Sequence, residues 1–325
     1  MKIGITGATG HIGNNLLRRL QKEHHELRLF IHRDTGSVEG VEGELFRGDL
    51  LRKEDAHSFV KGLDAVFHLA ARVFINGKKR WQYFRENMLI SDNMLDAVKE
   101  EGCRYVYFSS VHAYDPRPGD EPLDETRRLV TGDRFLYSRS KALSQQKVLQ
   151  AAAEGLDALV LNPSAVIGPH DYRPSLLGKA IMMMADRKLP ALIPGGYDWV
   201  DVRDVAEGAL SALRKGRAGE AYLLTGHWKS MEDLNDIVRG IESIRKKPPR
   251  VPAWVARAGV PFMALVSLLK GEPPLYTQES ITILLEGNRR ISHEKASREL
   301  GYRPRPLKET LEDTIRWFRE EGMIE

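Results

Sequence analysis

A chain of 325 residues with 42% hydrophobic content can bury a large core, as one large domain or two closely joined ones. A charged fraction of 29% and a formal net charge of +4 describe an ordinary soluble surface; the densest basic cluster, Arg245-Lys246-Lys247-Pro248-Pro249-Arg250, lacks aromatic interleaving, so nucleic acid is not an expected partner. The lone cysteine, Cys103, excludes an intramolecular disulfide and a cysteine-based zinc cluster; no metal site is expected, and with no signal segment visible the expectation is a reducing, cytoplasmic setting.

The chain begins with a short apolar run, Lys2–Thr6, that breaks into glycines spaced three apart in Gly7-Ala8-Thr9-Gly10-His11-Ile12-Gly13. This reads as a first strand, a tight turn and a helix start. Gly7 can take the positive φ of a sharp turn, Gly10 lets a pyrophosphate come close, and Gly13 lets the helix pack tightly on the sheet. The helix N-terminus then offers free N–H groups and the positive end of its dipole, so a dinucleotide site is predicted. The second strand, Glu26–Ile31, ends at His32-Arg33-Asp34. An NAD site wants a carboxylate there for the ribose 2′-OH, whereas the Arg33 guanidinium suits a 2′-phosphate. NADP is therefore expected over NAD, with Asp34 becoming the ribose acceptor only if the register shifts.

Further strands are predicted at Gly43–Arg47, Ala65–Leu69, Arg104–Ser109 and Ala158–Asn162, and helices at Ile12–Lys22, Lys53–Val60, Phe84–Glu101 and Ser138–Ala153. Strand–helix alternation at this spacing predicts a parallel sheet covered on both faces, with ligands beyond the carboxyl ends of the strands. After Asn162 proline and glycine become frequent and strands sparse, with one further strand at Ala221–Thr225. The predicted fold class is α/β: a doubly wound parallel Rossmann sheet with a smaller, mostly helical C-terminal substrate lobe. Residues 1–165, completed by about 196–228, form the dinucleotide-binding domain; 166–195 and 229–300 form the lobe; 301–325 form a closing segment with a helix at Leu307–Glu321. The run Val251–Leu269 is apolar apart from Arg257 and approaches membrane-spanning length, but Gly259 and Pro261 interrupt it. It reads as a covered or cavity-facing helix, with peripheral membrane contact as the alternative.

A second constellation is Tyr137-Ser138-Arg139-Ser140-Lys141. The spacing puts Tyr137 and Lys141 one turn apart on one helix face, where an ammonium is expected to lower the phenol's pKa. Ser110 stands at the end of an apolar strand, where an active-site crevice is expected. Asn87 stands inside a helix, where asparagine is a mediocre former.

In the order glycine loop, Asn87, Ser110, Tyr137 and Lys141, the chain resembles the short-chain dehydrogenase/reductase superfamily in its extended branch, the NAD-dependent epimerase/dehydratase family. The resemblance takes in Gly48-Asp49-Leu50, His68-Leu69-Ala70-Ala71, Asn162-Pro163 and Trp199-Val200-Asp201-Val202-Arg203-Asp204-Val205-Ala206. The run from Asn162 to Pro169 is similar to the dihydroflavonol-reductase and hydroxysteroid-dehydrogenase neighbourhood. The resemblance implies cofactor contacts from Gly7, Thr9, Gly10, His11, Ile12, Gly13, Arg33, Asp49, Leu50, Leu69, Ala70, Ala71, Tyr137, Lys141, Asn162 and Pro163. It implies that Tyr137 donates a proton to a carbonyl oxygen held by Ser110. Lys141 then binds the nicotinamide ribose, and Asn87 supports a proton relay behind it. Val111, His112, Tyr172 and Arg173 are expected to shape the substrate site.

Within the family, Val111-His112-Ala113 lacks the acid pair of nucleotide-sugar dehydratases, and His32-Arg33 argues against an NAD-retaining epimerase. An NADP-dependent ketone or aldehyde reductase is the expected activity. The alternatives are a nucleotide-sugar epimerase or dehydratase and a non-catalytic cofactor-binding sensor. Ile90-Ser91 departs from the Gly-Thr common among relatives. A small carbonyl or alcohol is the expected partner, and the protein is expected to be a monomer or a homodimer joined through the helices Phe84–Glu101 and Ser138–Ala153.

Overall fold

Along β5 (Arg104–Phe108), Val106 and Phe108 enter one buried cluster while Tyr105 and Tyr107 enter another. That period-two division marks a strand covered on both faces. The same division runs through β4 (Ala65–His68), where Ala65 and Phe67 face one way and Val66 the other. The computed structural model describes residues 1–33, 36–73, 80–119, 121–132, 134–270 and 277–325, the side chains of 262–270 excepted.

Seven parallel strands build the central sheet in the order β3-β2-β1-β4-β5-β6-β9. They are β1 (Lys2–Thr6), β2 (Glu26–Ile31), β3 (Glu44–Arg47), β4, β5, β6 (Ala158–Pro163) and β9 (Ala221–Leu224). Chain order reverses between β1 and β4, which opens the crevice where a doubly wound sheet binds its ligand. On one face lie α1 (His11–Gln21) and α6 (Val202–Lys215), joined through Leu16, Leu17 and Leu20 against Val205, Ala209 and Leu213. Leu16, Leu17 and Leu20 are fully buried, each worth about 1.5–3 kcal/mol of transfer free energy. On the other face lie α2 (Lys53–Val60), α3 (Arg80–Glu101) and α4 (Leu136–Ala153), carrying Phe59, Met94, Val98 and Val148 into the second cluster.

The smaller lobe contains a three-stranded sheet in addition to its helices. It comprises β7 (Ala165–Ile167), β8 (Gly196–Asp201) and β10 (His227–Ser230), with β8 parallel to β7 and antiparallel to β10. Around it pack α5 (Leu176–Ala185), α7 (Met231–Ile241), α9 (Gln278–Glu286) and α11 (Leu307–Glu320), burying Ile181, Leu234, Ile281, Leu311 and Phe318 in a third cluster. The helix α10 (Glu294–Leu300) joins the first cluster instead, through Ala296 and Leu300. The expected break at Gly259 and Pro261 does not occur, and α8 (Ala253–Lys270) runs through that proline. Ala256 and Val260 of α8 pack against the third cluster, while Trp254 is 73% exposed. Among the described residues no helix is long and apolar enough to cross a membrane. The side chains in the second half of the apolar run Val251–Leu269 lie outside the described residues.

Candidate active site

The site is built at the carboxyl ends of β1, β4, β5 and β6. After β1 the chain turns at Gly7 with φ +76°. A Cβ there would lie 2.9 Å from the Ala70 nitrogen, and one at Gly13 only 2.1 Å from the Gly7 carbonyl oxygen. A Cβ at Gly10 would meet only that same carbonyl, at 3.3 Å. Gly7 and Gly13 therefore serve the tight turn and helix packing, and Gly10 keeps the loop's outer side clear. Gly10 caps α1 without a side-chain hydrogen bond, and the first turn contains no acidic residue. The N–H groups of His11, Ile12 and Gly13 are thus left for an anion, the arrangement a dinucleotide pyrophosphate requires.

The His11 ring turns away from this loop. Its Nε2 lies 3.2 and 3.1 Å from the carbonyl oxygens of Gly168 and Pro169, and Asn15 Nδ2 also donates to Pro169. What His11 offers a phosphate is its backbone. The Thr9 carbonyl accepts a bond from Ser37 Oγ, which folds the segment after β2 over the loop. At the end of β2, His32 and Arg33 are exposed, and His32 Nε2 stands 3.8 Å from Asp49 Oδ2. Asp34 lies outside the described residues. Asp49 Oδ1 accepts from the Leu51 N–H, and Asn93 Nδ2 donates to the carbonyl of the buried Leu50, fixing the wall beyond β3.

Beyond β4, Leu69 donates to the Thr6 carbonyl and Ala70 to Thr6 Oγ1, which holds the Leu69-Ala70-Ala71 loop against Gly7. Thr6 Oγ1 also lies 2.7 Å from Nδ1 of the buried His68, whose pKa burial and the Lys141 charge push down to about 3. Asn87 closes the same loop: its Nδ2 donates to the Arg72 carbonyl at 2.9 Å, and its Oδ1 accepts from the Arg72 N–H at 2.8 Å. These contacts make Asn87 an anchor of the loop after β4 and do not link it to Lys141.

Ser110, two residues beyond β5, caps a short helical turn, Val111–Ala113, with its Oγ accepting from the His112 N–H at 3.2 Å. Because that lone pair is occupied by a donor, the hydroxyl proton remains to be given to another oxygen. Lys141 is 6% exposed; its Nζ donates to the Phe108 carbonyl at 2.7 Å and lies 5.2 Å from the Tyr107 ring centre. Tyr137 stands one turn before it, in the first turn of α4. Burial raises the Tyr137 pKa, and the Lys141 charge opposes that rise. The expected net lowering is thus corrected: desolvation outweighs the ammonium. Asn162, fully buried at the end of β6 beside Pro163, donates to the Ser110 carbonyl and to Gln145 Oε1; its own Oδ1 is enclosed without a partner among the described residues.

A cavity of about 460 Å³ opens beside this group. Val111 and His112 line it, together with Tyr114, Phe135, Ser138, Tyr197 and Ile283. Its arginines are matched by carboxylates: Arg117 and Arg128 pair with Asp115, and Arg134 pairs with Glu286 through both terminal nitrogens. Tyr172 and Arg173, expected in the substrate site, are not in its wall. Tyr172 instead meets Trp317 of α11 nearly perpendicularly, at 5.2 Å, and accepts from Arg18 of α1 at 2.9 Å, while Arg173 is exposed. Residues the sequence reading missed include Ser164 and Asp198, both lining the cavity. The signal for Asp198 was a carboxylate between two aromatic residues, Tyr197 and Trp199.

A model of the NAD dependent epimerase/dehydratase family matches residues 3–225. The chain is 32% identical to sterol demethylase protein B of Methylococcus capsulatus, covering 98% of this chain and 99% of that protein. It is 28% identical to a putative dihydroflavonol 4-reductase of Synechocystis, covering 98% and 95%. The solved structure of gox2253 superposes with a TM-score of 0.85 at 30% identity, covering 99% of both chains. The chain belongs to the NAD dependent epimerase/dehydratase family and is an NAD(P)-dependent enzyme of the extended short-chain dehydrogenase/reductase type.

Proposed function

We propose that this family member reduces a ketone or aldehyde on a largely apolar, uncharged substrate, with NADP as its cofactor. The observation that carries the reading is the cavity beside Ser110: apolar over most of its wall, with its described arginines engaged by Asp115, which two of them share, and by Glu286. A nucleoside diphosphate needs free cations for its phosphates, and each arginine of the described wall is already engaged by a carboxylate, two of them by the same one. The names of two relatives, a sterol demethylase component and a putative dihydroflavonol 4-reductase, concern polycyclic compounds and accord with such a cavity.

The glycine loop and the first turn of α1 fit a dinucleotide pyrophosphate, and Arg33 offers its guanidinium to a 2′-phosphate. Bound there, the nicotinamide supplies the hydride. Ser110, already accepting from the His112 N–H, donates a hydrogen bond to the substrate oxygen, keeping its own proton, and stabilises charge as it grows. Tyr137 gives the proton that completes the alcohol. Its raised pKa keeps the phenol protonated near neutrality, the form that reduction needs. Lys141 presents its ammonium to the same locus, held by the Phe108 carbonyl.

The test is Tyr137→Phe. Loss of turnover by a factor of about 100 or more, with NADPH binding unchanged, is expected on a panel of ketones, aldehydes and nucleotide sugars followed by NADPH absorbance. Undiminished ketone reduction by the variant would refute the assignment. Conversion of a nucleotide sugar with no net absorbance change would replace it with epimerisation.

A further inference from the structure

Among the described residues three carboxylates line the cavity wall away from the reacting group, and they differ in company. Asp115 faces two arginines and Glu286 one. Asp198, in β8, is 5% exposed and makes no ion pair with a lysine or arginine among the described residues. One of its oxygens, Oδ1, is fixed by two donors: Ser164 Oγ at 2.6 Å and the Gly226 N–H at 2.7 Å. The other, Oδ2, accepts no hydrogen bond from the described residues and is not among the fully enclosed polar atoms. Ser164 lies in the same wall.

A carboxylate in that setting has lost most of its water and gained two neutral donors, with the imidazole of His227 on the paired strand β10 as a weaker attraction. Burial is accordingly the largest influence on its pKa and pushes it up to about 6. Such a group is costly to the ligand-free protein unless something in the cavity satisfies its open oxygen.

We propose that Asp198 is a substrate-recognition residue whose open oxygen accepts a hydrogen bond from a hydroxyl carried by the otherwise apolar carbonyl substrate. The inference rests on the cavity being the carbonyl site and narrows the substrate class. It admits hydroxyketones, disfavours the same skeleton without the hydroxyl, and rejects an anionic group in that position. Fixing Oδ1 through Ser164 and Gly226 orients the carboxyl plane, so the acceptor is preorganised.

The test uses a matched series on one rigid skeleton: 5α-androstan-3-one bearing hydrogen, hydroxyl or carboxylate at C17. Binding to the NADP-loaded protein is read by calorimetry, and reduction by NADPH absorbance. The wild type should bind the hydroxyl compound about tenfold or more tighter than the parent ketone, and the carboxylate weakest of the three. Asp198→Asn retains a carbonyl oxygen for Ser164 and Gly226, and should shrink the hydroxyl preference to within about threefold while relieving rejection of the carboxylate. Equal affinity of the wild type for hydroxyl and parent compounds overturns the proposal without any variant. The same hydroxyl preference in Asp198→Asn also overturns it. Ketone reduction without a hydroxyl preference would leave the reductase reading standing alone. Hydroxyl-selective binding without reduction would keep the subsite and remove the reductase reading. Failure of all three compounds to bind would overturn both.

Discussion

Asp198→Asn should make the ligand-free protein more stable at neutral pH, because the native residue is a charge buried for a ligand rather than for the fold. In the folded protein its pKa is about 6, against 3.8 for an unperturbed aspartate. Between about pH 4 and 6 the folded state therefore binds this proton more tightly than the unfolded chain does. Wild-type stability falls as pH rises through that window, and the loss is complete above it. At 1.36 kcal/mol for each unit of pKa, the total is about 3 kcal/mol. An asparagine carries no charge to desolvate but offers Ser164 and Gly226 a weaker acceptor, so the net gain at pH 7 should be about 1–3 kcal/mol. Urea unfolding of both proteins without ligand, at steps from pH 4 to 8 and followed by fluorescence and circular dichroism, measures it. The variant's advantage should be present at pH 7 and should shrink or reverse by pH 4. A variant less stable at pH 7, or a difference that does not change with pH, would refute the reasoning.

Three further outcomes follow from contacts in the cofactor cleft. Gly13→Ala forces a methyl against the Gly7 carbonyl and should cost about 1–3 kcal/mol of stability, with NADPH affinity falling as the loop shifts, read by denaturant unfolding and fluorescence titration. Arg33→Ala should raise the KM for NADPH about tenfold or more and leave that for NADH nearly unchanged; equal effects on the two would remove Arg33 from the 2′-phosphate. Asn87→Ala deletes both bonds to Arg72 and should cost about 1–3 kcal/mol, with faster amide exchange in the loop after β4 and unaltered exchange in β9.

The central sheet was legible because most of its strands are short apolar runs ending in a chemically marked turn; the edge strand β3, Glu-Leu-Phe-Arg, is the exception. Lys2–Thr6, Glu26–Ile31 and Lys53–Val60 are found with the boundaries that patterning predicts, and most other elements shift by a few residues at their ends. The second sheet was hidden for particular reasons. Its strand β7 has three residues, β8 follows the turn signal Pro194-Gly195, and β10, His-Trp-Lys-Ser, shows no alternation of polar and apolar residues. Tyr172 was misplaced because its partners, Arg18 and Trp317, are distant in sequence, and their pairing decides which way the ring turns. For Tyr137, spacing revealed the ammonium one turn away but not the burial that outweighs it. Spacing along a chain reports neighbours on an element; desolvation is set by whatever packs across it.

The stretch Trp199–Ala206, which carries part of the family resemblance, works through structure more than chemistry. Asp201 accepts from the Arg203 N–H and binds that guanidinium, whose other terminal nitrogen reaches Asp313 of α11. Asp204 accepts from the backbone and side chain of Arg305, just before α11. Two acids and an arginine at the β8–α6 junction thus clamp the closing helix to the rest of the chain. The same strand carries Asp198 three residues earlier, facing the cavity. A substrate contact on β8 is consequently held by strand pairing to β7 and β10 and by this ion network, not by a loop. Rigid placement matters for a lone carboxylate acceptor. A mobile one would retreat into water when no ligand is bound, and its discrimination would vanish with the desolvation that creates it.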